Sequence, residues 1–236
     1  MMMNKKKYVA LNLSICIIFS LLIQLILPTV AFAGEETIYI GSAEELISFA
    51  KKCSYDAFSI GKNVLLTNDI SLKDTGFEPI ATFGGTFDGQ GHTISGLELS
   101  GAYSPVGLFS TIGKEATVKN LKVNGVISPS GDKGYVGGIA GDNSGRIENC
   151  EFAGTVIGSD DVGGITGINR VSGSISGCSV SGEIIGENRT GGIAGSNEGL
   201  ISDCQNYAKI NTISVTPTLS LDEINLSLTL DISKLP

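Results

Sequence analysis

A short glycine-rich pattern recurs three times in this chain and constrains its fold more than any other feature. Residues 136–141, 162–167 and 190–195 have the sequences VGGIAG, VGGITG and TGGIAG, and a degenerate copy begins at Val106. Successive copies start 30, 26 and 28 residues apart. A period within the range of about 20–50 residues is typical of solenoids, in which each repeat packs against its neighbours. We therefore interpret each copy as one strand of a repeating coil.

A second pattern follows each copy. Because side chains alternate along a strand, Ile147 and Cys150 can both face inward only if the chain bends between them. Gly, Asn and Asp tolerate the left-handed conformation of a sharp bend. The pattern predicts several short strands per coil, and thus an all-β parallel β-helix of about five coils. We align its rows as Ile94, Val118, Ile147, Ile175 and Ile201, then Gly96, Asn120, Asn149, Gly177 and Asp203, then Leu97, Leu121, Cys150, Cys178 and Cys204.

Composition and charge agree with such a fold. Glycine supplies 32 of the 236 residues, which argues against a helical bundle because glycine weakens helices. The glycines lack a strict period of three, which excludes collagen. The L-x-x-L-x-L consensus of leucine-rich repeats is absent. The formal net charge of −8 argues against a nucleic-acid partner.

The segment before the repeats predicts a helical cap. Ser42 and Glu45 form a capping box, in which Ser42 is the N-cap and Glu45 reaches back to its amide. Apolar residues follow at helical spacing, and we expect one amphipathic helix over residues 43–52. A helix here would cover the open end of the solenoid, which is otherwise a bare sheet edge.

The N-terminus predicts a secretory signal peptide over residues 1–33. Three lysines, Lys5 to Lys7, precede a mostly apolar run over residues 9–27, and residues 31–33 form an A-x-A cleavage site. The alternative is an uncleaved membrane anchor, because the run approaches the length of a span. Polar breaks and Pro28 favour cleavage, so we expect an exported chain that has no membrane span after cleavage.

The repeats resemble the GLUG-motif repeats of secreted and surface-attached bacterial proteins. The resemblance is carried by residues 85–94 (GTFDGQGHTI), 106–109 (VGLF) and the three glycine-rich copies with their downstream I-x-x-C segments, and it extends over about residues 77–210. It implies a right-handed parallel β-helix in a cell-surface protein. Such repeats occur in the non-catalytic part of immunoglobulin A1-cleaving metalloproteases. The resemblance implies no catalytic residues.

These patterns divide the chain into four parts: a signal peptide (1–33), an N-terminal cap (34–84), the β-helix repeats (85–212) and a C-terminal strand segment (213–236). In the last part, apolar residues alternate at Leu226, Leu228, Leu230 and Ile232. The segment looks like the first strand of a truncated immunoglobulin-like domain. It equally suits a strand that closes the C-terminal end of the solenoid.

Residues for metal or catalytic chemistry are sparse, and we expect no cofactor, no metal and no catalytic residue. The single histidine, His92, cannot supply an H-E-x-x-H site, and we expect it to be a turn residue. We interpret residues 142–145, with Asn169 and 196–199, as plain turns, although their oxygens would suit Ca²⁺. Asp160 and Asp161 are adjacent, so on a strand they should point to opposite faces.

Three cysteines, Cys150, Cys178 and Cys204, occupy one predicted row. In-register neighbours lie about 4.8 Å apart with parallel Cβ vectors, whereas a disulfide requires converging vectors. We expect a ladder of free buried thiols next to the isoleucine ladder of Ile147, Ile175 and Ile201.

A candidate binding edge comes from loop-length variation, which lies mainly before each glycine-rich copy. Insertions in solenoids often fall on one face, and such loops carry function. The loops contain Tyr103, Tyr135, Asp160, Asp161 and Arg189, together with Asp132 and Glu187. The sequence thus favours a non-catalytic secreted or cell-surface adhesion module with a host, matrix or cell-wall ligand. The alternative is a polysaccharide lyase or hydrolase on the same fold.

Overall fold

Short parallel strands make up most of the computed structural model, which describes residues 37–55 and 57–211. The signal-peptide prediction and the C-terminal segment lie outside the described residues. In chain order the described elements are β1 Thr37–Ile40, α1 Ala43–Lys52, β2 Asn63–Leu66, β3 Ile70–Ser71, β4 Ile80–Phe83, β5 Thr86–Asp88, β6 Thr93–Leu99, β7 Phe109–Ile112, β8 Thr117–Lys119, β9 Lys122–Ile127, β10 Gly134–Gly137, β11 Ala140–Asn143, β12 Arg146–Glu148, β13 Glu151–Ile157, β14 Asp160–Gly163, β15 Thr166–Asn169, β16 Ser174–Ser176, β17 Ser179–Ile185, β18 Asn188–Gly191, β19 Ala194–Asn197, β20 Leu200–Ser202, β21 Gln205–Asn206 and β22 Lys209–Ile210.

The strands form four parallel sheets, and each strand pairs with its counterpart in the next coil. Sheet I is β1-β2-β5-β8-β12-β16-β20, and sheet II is β3-β6-β9-β13-β17-β21, with β22 also on β17. Sheet III is β4-β7-β11-β15-β19, and sheet IV is β10-β14-β18. One coil passes through sheets IV, III, I and II in turn. The predicted all-β parallel solenoid is confirmed. It has about six turns rather than five, because the strands before residue 85 join the same sheets.

The predicted helix is confirmed at both ends as α1. The Ser42 hydroxyl accepts a hydrogen bond from the Glu45 amide at 3.2 Å. The Glu45 carboxylate, however, accepts from the Gly41 amide at 2.7 Å instead of from Ser42. The extended backbone of Ser42 places the preceding amide within reach of the carboxylate. The helix therefore begins as predicted, although one partner of the capping box differs.

Helix α1 closes the N-terminal end of the solenoid. Its residues Leu46, Phe49 and Ala50 are buried. The Phe49 ring lies 6.2 Å from Phe83 and 6.4 Å from Phe87, at tilted or edge-on angles. Such aromatic pairs add to the free energy of burial. The helix thus shields the aromatic first coils from solvent.

The isoleucine ladder is in register across the last coils. Ile147 pairs with Val118 and Ile175, and Ile175 pairs with Ile201. Cys150, Cys178 and Cys204 hold equivalent places one coil apart, since Glu151 pairs with Ser179 and Ser179 with Gln205.

Our alignment of the first repeat is wrong. Phe87, and not Ile94, pairs with Val118, while Ile94 pairs with Val123 in sheet II. Leu97 pairs with Gly125 beyond a register shift, so it is not in the cysteine row. The turn after Phe87 is longer than the equivalent turns, and both Gln90 and Gly91 have positive φ. Our alignment by residue type ignored this longer turn, so it matched β6 to β8 where the true counterpart of β8 is β5.

The predicted left-handed bends are confirmed. Asn120, Asn149, Gly177 and Asp203 have φ of 52°, 52°, 62° and 54°. Each lies between a strand of sheet I and the next strand of sheet II. This bend lets apolar side chains on both strands face the core.

Each glycine-rich copy is two strands and not one. β10 and β11 are separated by a bend at residues 138–139, and the same break recurs in the next two coils. A Cβ atom at Gly137 would lie 2.6 Å from the Thr166 Cα. A Cβ atom at Gly167 would collide with the Tyr135 backbone. Sheets III and IV therefore pack backbone against backbone.

Candidate binding surface

The loops before the glycine-rich copies stack along one edge. Our placement of four candidate residues in these loops is wrong, because Tyr135, Asp160, Asp161 and Arg189 lie in the strands β10, β14 and β18. The Ser130 amide donates to the Gly101 carbonyl at 3.2 Å. The Ser159 amide donates to Lys133, and the Glu187 amide to Ser159, both at 2.9 Å. Backbone hydrogen bonds therefore hold each loop against the loop of the next coil.

Three of the predicted site residues share a strained backbone position. Tyr135, Asp161 and Arg189 occupy equivalent places in β10, β14 and β18, and their φ angles are 56°, 50° and 47°. Residues as bulky as Tyr135 and Arg189 rarely adopt positive φ, whereas aspartate tolerates it. Such conformations persist where surrounding contacts enforce them, and they cluster at functional sites.

An ion pair joins two members of this row. Arg189 donates from Nε to Asp161 Oδ1 at 2.6 Å and from Nη2 to Oδ2 at 2.9 Å. The Ser196 hydroxyl donates to the same carboxylate, and Asp161 is only 3% exposed. Hydrogen bonds from Arg189, and then from Ser196, hold the pKa of Asp161 below its ordinary value of 3.8. The carboxylate is thus buried, charged and fully paired.

A second pair lies beside the first. Arg170 donates from Nη2 to Asp142 Oδ2 at 2.6 Å and from Nε to the same oxygen at 3.0 Å. The Arg170 guanidinium carbon also lies 5.3 Å from the centroid of the Tyr135 ring, within the range of a cation–π contact. We call this group the arginine–aspartate face: Tyr135, Asp142, Asp161, Arg170, Arg189 and Ser196.

Sequence reasoning missed Arg170, Asp142 and Ser196. The signal was present. Arg189 lies 28 residues after Asp161, which is one coil length, and Arg170 lies 28 residues after Asp142, two residues beyond the register partner Ile168. Opposite charges at that spacing become neighbours on adjacent coils. Bidentate arginine–carboxylate pairs are among the stronger polar contacts.

The other two predicted residues have different environments. Tyr103 is half-buried and packs against the core, and burial followed by the nearby Glu78 carboxylate raises its pKa. Asp160 is partly exposed and lies 3.7 Å from Arg189. Asp160 and Asp161 therefore both reach Arg189. Our expectation of opposite faces is wrong because the positive φ of Asp161 breaks the strand alternation.

A shallow depression adjoins Arg170 on this side of the solenoid. It is lined by polar and charged side chains and by one strongly exposed valine. These are Thr111, Lys114, Asp142, Ser144, Arg170, Val171, Ser172 and Glu198.

A comparison with protein families matches one coil of this solenoid. Residues 133–157 fit the family described as the GLUG motif, and they run from the loop before β10 to the end of β13. The chain carries the GLUG motif. The resemblance expected from the sequence is confirmed, and the matched GLUG coil includes Tyr135 and Asp142 of the arginine–aspartate face.

The curated relatives that this chain matches are much longer proteins. Halomucin of Haloquadratum walsbyi is 45% identical over 93 residues, which are 38% of this chain and 1% of halomucin. A "Putative Gly-rich membrane protein" of Evansella cellulosilytica is 33% identical over 100 residues, which are 39% of this chain and 11% of that protein. The chain therefore spans only a small part of each.

A solved structure shares the fold. It is a "putative immunoglobulin A1 protease" from Bacteroides ovatus, with a TM-score of 0.51 and 17% identity. The match covers 73% of this chain and 66% of that one. At this identity the likeness concerns the fold alone.

A histidine–aspartate contact lies outside the arginine–aspartate face. The His92 Nδ1 lies 3.2 Å from Asp69 Oδ1, next to a turn. Within residues 37–55 and 57–211, no group of three or more His, Cys, Asp or Glu side chains is placed to hold a metal ion. None of the described helical segments is long and apolar enough to cross a membrane.

The four described cysteines are free thiols. Cys150 and Cys178 are buried, and the Cys150 amide lies 3.4 Å from the Cys178 sulfur. Cys53 is also buried, which raises its pKa to about 12. We expect these three thiols to react slowly with iodoacetamide in the folded protein and quickly in urea, because burial keeps the reagent away from the sulfur atoms until the protein unfolds. Mass-spectrometric peptide mapping measures each site, and a disulfide between Cys150 and Cys178 would contradict the expectation.

Asp161→Asn tests the buried ion pair of the arginine–aspartate face. A lowered folded-state pKa stabilises the protein above pH 3.8, and this stabilisation is lost as the pH falls through the lowered value. We expect Asp161→Asn to cost about 1–2 kcal/mol at pH 7, and less as the pH falls below 3.8. Urea unfolding at several pH values measures the loss of stability and its dependence on pH.

Asp160→Asn is the matched control, because its carboxylate is 45% exposed. It should change stability by less than about 0.5 kcal/mol. Equal effects of the two substitutions would show that the buried pair has no special role.

Proposed function

We propose that this chain is a non-catalytic structural module of a secreted or cell-surface protein and presents a rigid solenoid face to an extracellular ligand. The observation that carries this proposal is the arginine–aspartate face together with the depression beside it. The charges of the face are paired between coils, so its side chains are held in place before any ligand binds. Because these side chains are already ordered in the free protein, ligand binding costs less conformational entropy.

The chemistry of the face suits a polar extended ligand. The depression beside Arg170 offers Lys114 as a cation, Glu198 as an anion and Val171 as an apolar contact. A host-matrix or cell-wall polymer has hydroxyl, amide or charged groups that such side chains recognise. Loops on a rigid scaffold commonly carry this kind of function.

The names of the relatives support an extracellular location for this chain. One is named halomucin and the other a Gly-rich membrane protein, and both names fit a chain at the cell surface. The GLUG coil is the part with a family match. The adhesive role and its ligand are our inference from the face.

Binding assays on the full chain test this function. We would screen cell-wall polysaccharides, host-matrix proteins and glycans by biolayer interferometry, and then compare Lys114→Ala and Glu198→Ala with the wild type. The matched controls are Lys122→Ala and Glu151→Ala, two exposed charges on sheet II. We expect a loss of about tenfold or more in affinity for the first pair only.

Two results would contradict the proposal. Equal binding by all four variants would remove the depression from the binding surface. Release of uronate or reducing ends from a polysaccharide would instead support an enzyme on this fold.

A further inference from the structure

The C-terminal end of the described solenoid exposes its core. Inward-facing residues of the last coil are only partly buried, whereas their counterparts one coil earlier are at most 1% exposed. The partly buried residues are Ile193, Ile201, Cys204 and Ile210, and their buried counterparts are Ile165, Ile175, Cys178 and Ile184. Leu200 and Tyr207 are strongly exposed at the same end. Such an end is an unpaired sheet edge above an open core.

A polar atom at this end is also unpaired. Thr190 follows Val136 and Val162 in its row, and its hydroxyl oxygen is buried without a hydrogen-bond partner among the described residues. Buried hydroxyls are normally paired. The N-terminal end, by contrast, is covered by α1.

We propose that residues 212–236 cover this end by adding a strand to the edge of the last coil. The segment follows directly on Asn211 and has about one coil's length, since the glycine-rich copies start 26 and 28 residues apart. One coil length after β20 falls on about residues 226–230. Leu226, Leu228 and Leu230 lie there with period-2 alternation, as in a strand that is buried on one face. Main-chain pairing and the leucine face would together seal the core.

Cys204 provides a reporter for this proposal. In the full chain we expect its thiol to react with iodoacetamide about as slowly as Cys178, because the added strand covers it. In the double variant Leu228→Lys, Leu230→Lys we expect Cys204 to react at least tenfold faster. Cys150 and Cys178 should stay slow, which shows that the inner coils remain folded.

The control is Ser227→Lys, Thr229→Lys, which places the same charges on the other face of the strand. We expect it to leave Cys204 protected. The proposal is overturned if Cys204 reacts quickly in the wild type, or if the two double variants behave alike. Protection that appears only as protein concentration rises would overturn it in favour of a second copy.

Discussion

Gly137→Ala is expected to destabilise the protein by about 3 kcal/mol, or to prevent folding. The new methyl group would collide with the Ala140 carbonyl and lie 2.6 Å from the Thr166 Cα. These are backbone atoms, so no side chain can rotate to make room. Sheets III and IV would have to separate, and the cost would extend to the neighbouring coils. Urea unfolding followed by circular dichroism measures the change.

Gly134→Ala is the matched control in the same strand. Its new methyl group would lie 3.4 Å or more from the backbone and side chain of Asp160, which is an ordinary contact. We expect stability between unchanged and about 1 kcal/mol higher, because alanine restricts the unfolded chain. Similar losses for both variants would mean that the close packing of the two sheets is not the cause.

Asn169→Ala is expected to cost about 3 kcal/mol. Asn169 is fully buried in an amide ladder: it accepts from Asn143 Nδ2 and donates to Asn197 Oδ1, each at 2.8 Å. Alanine removes both bonds and leaves the buried Asn143 Nδ2 with only its longer hydrogen bond, 3.3 Å, to the Gly145 carbonyl. The free energy of unfolding in urea is again the measurement.

Asn197→Ala removes the exposed end of the same ladder. Water can replace its bonds, so we expect a loss of about 1 kcal/mol or less. If Asn169→Ala proved no worse than this control, the ladder would contribute little to stability.

The asparagine ladder corrects our interpretation of this part of the chain as plain turns. Asn143 and Asn169 do lie next to turns, but their side chains point into the core and are not exposed. Their oxygens are engaged within the ladder and with the Gly145 amide. In a solenoid, a polar side chain is satisfied by its copy in the next coil, so a residue typical of turns can be buried.

Rigidity links these predictions to the proposed function. The glycine contacts hold sheets III and IV together at the level of the arginine–aspartate face. Tyr135 lies against Gly167, and Asp161 lies against Gly195. A substitution that loosens the packing of sheets III and IV should therefore weaken ligand binding, even if it replaces no residue of the arginine–aspartate face.

Several features could be derived from the sequence because they depend on local or periodic patterns. The spacing of the glycine-rich copies indicated stacked parallel coils, and the Gly, Asn and Asp row indicated left-handed bends. The capping box predicted where α1 begins. In each case the physical cause lies within a few residues, or repeats at a constant interval.

Other features were decided only by the tertiary structure. A longer turn after Phe87 shifted the first repeat, and the close approach of sheets III and IV split each glycine-rich copy into two strands. The partners of Arg170 and Asp161 depend on how adjacent coils align. The contact between the Arg170 guanidinium and the Tyr135 ring depends on the direction of the Arg170 side chain. These are lateral contacts between segments about one coil apart, and their geometry follows from turn lengths and backbone packing that no single repeat encodes.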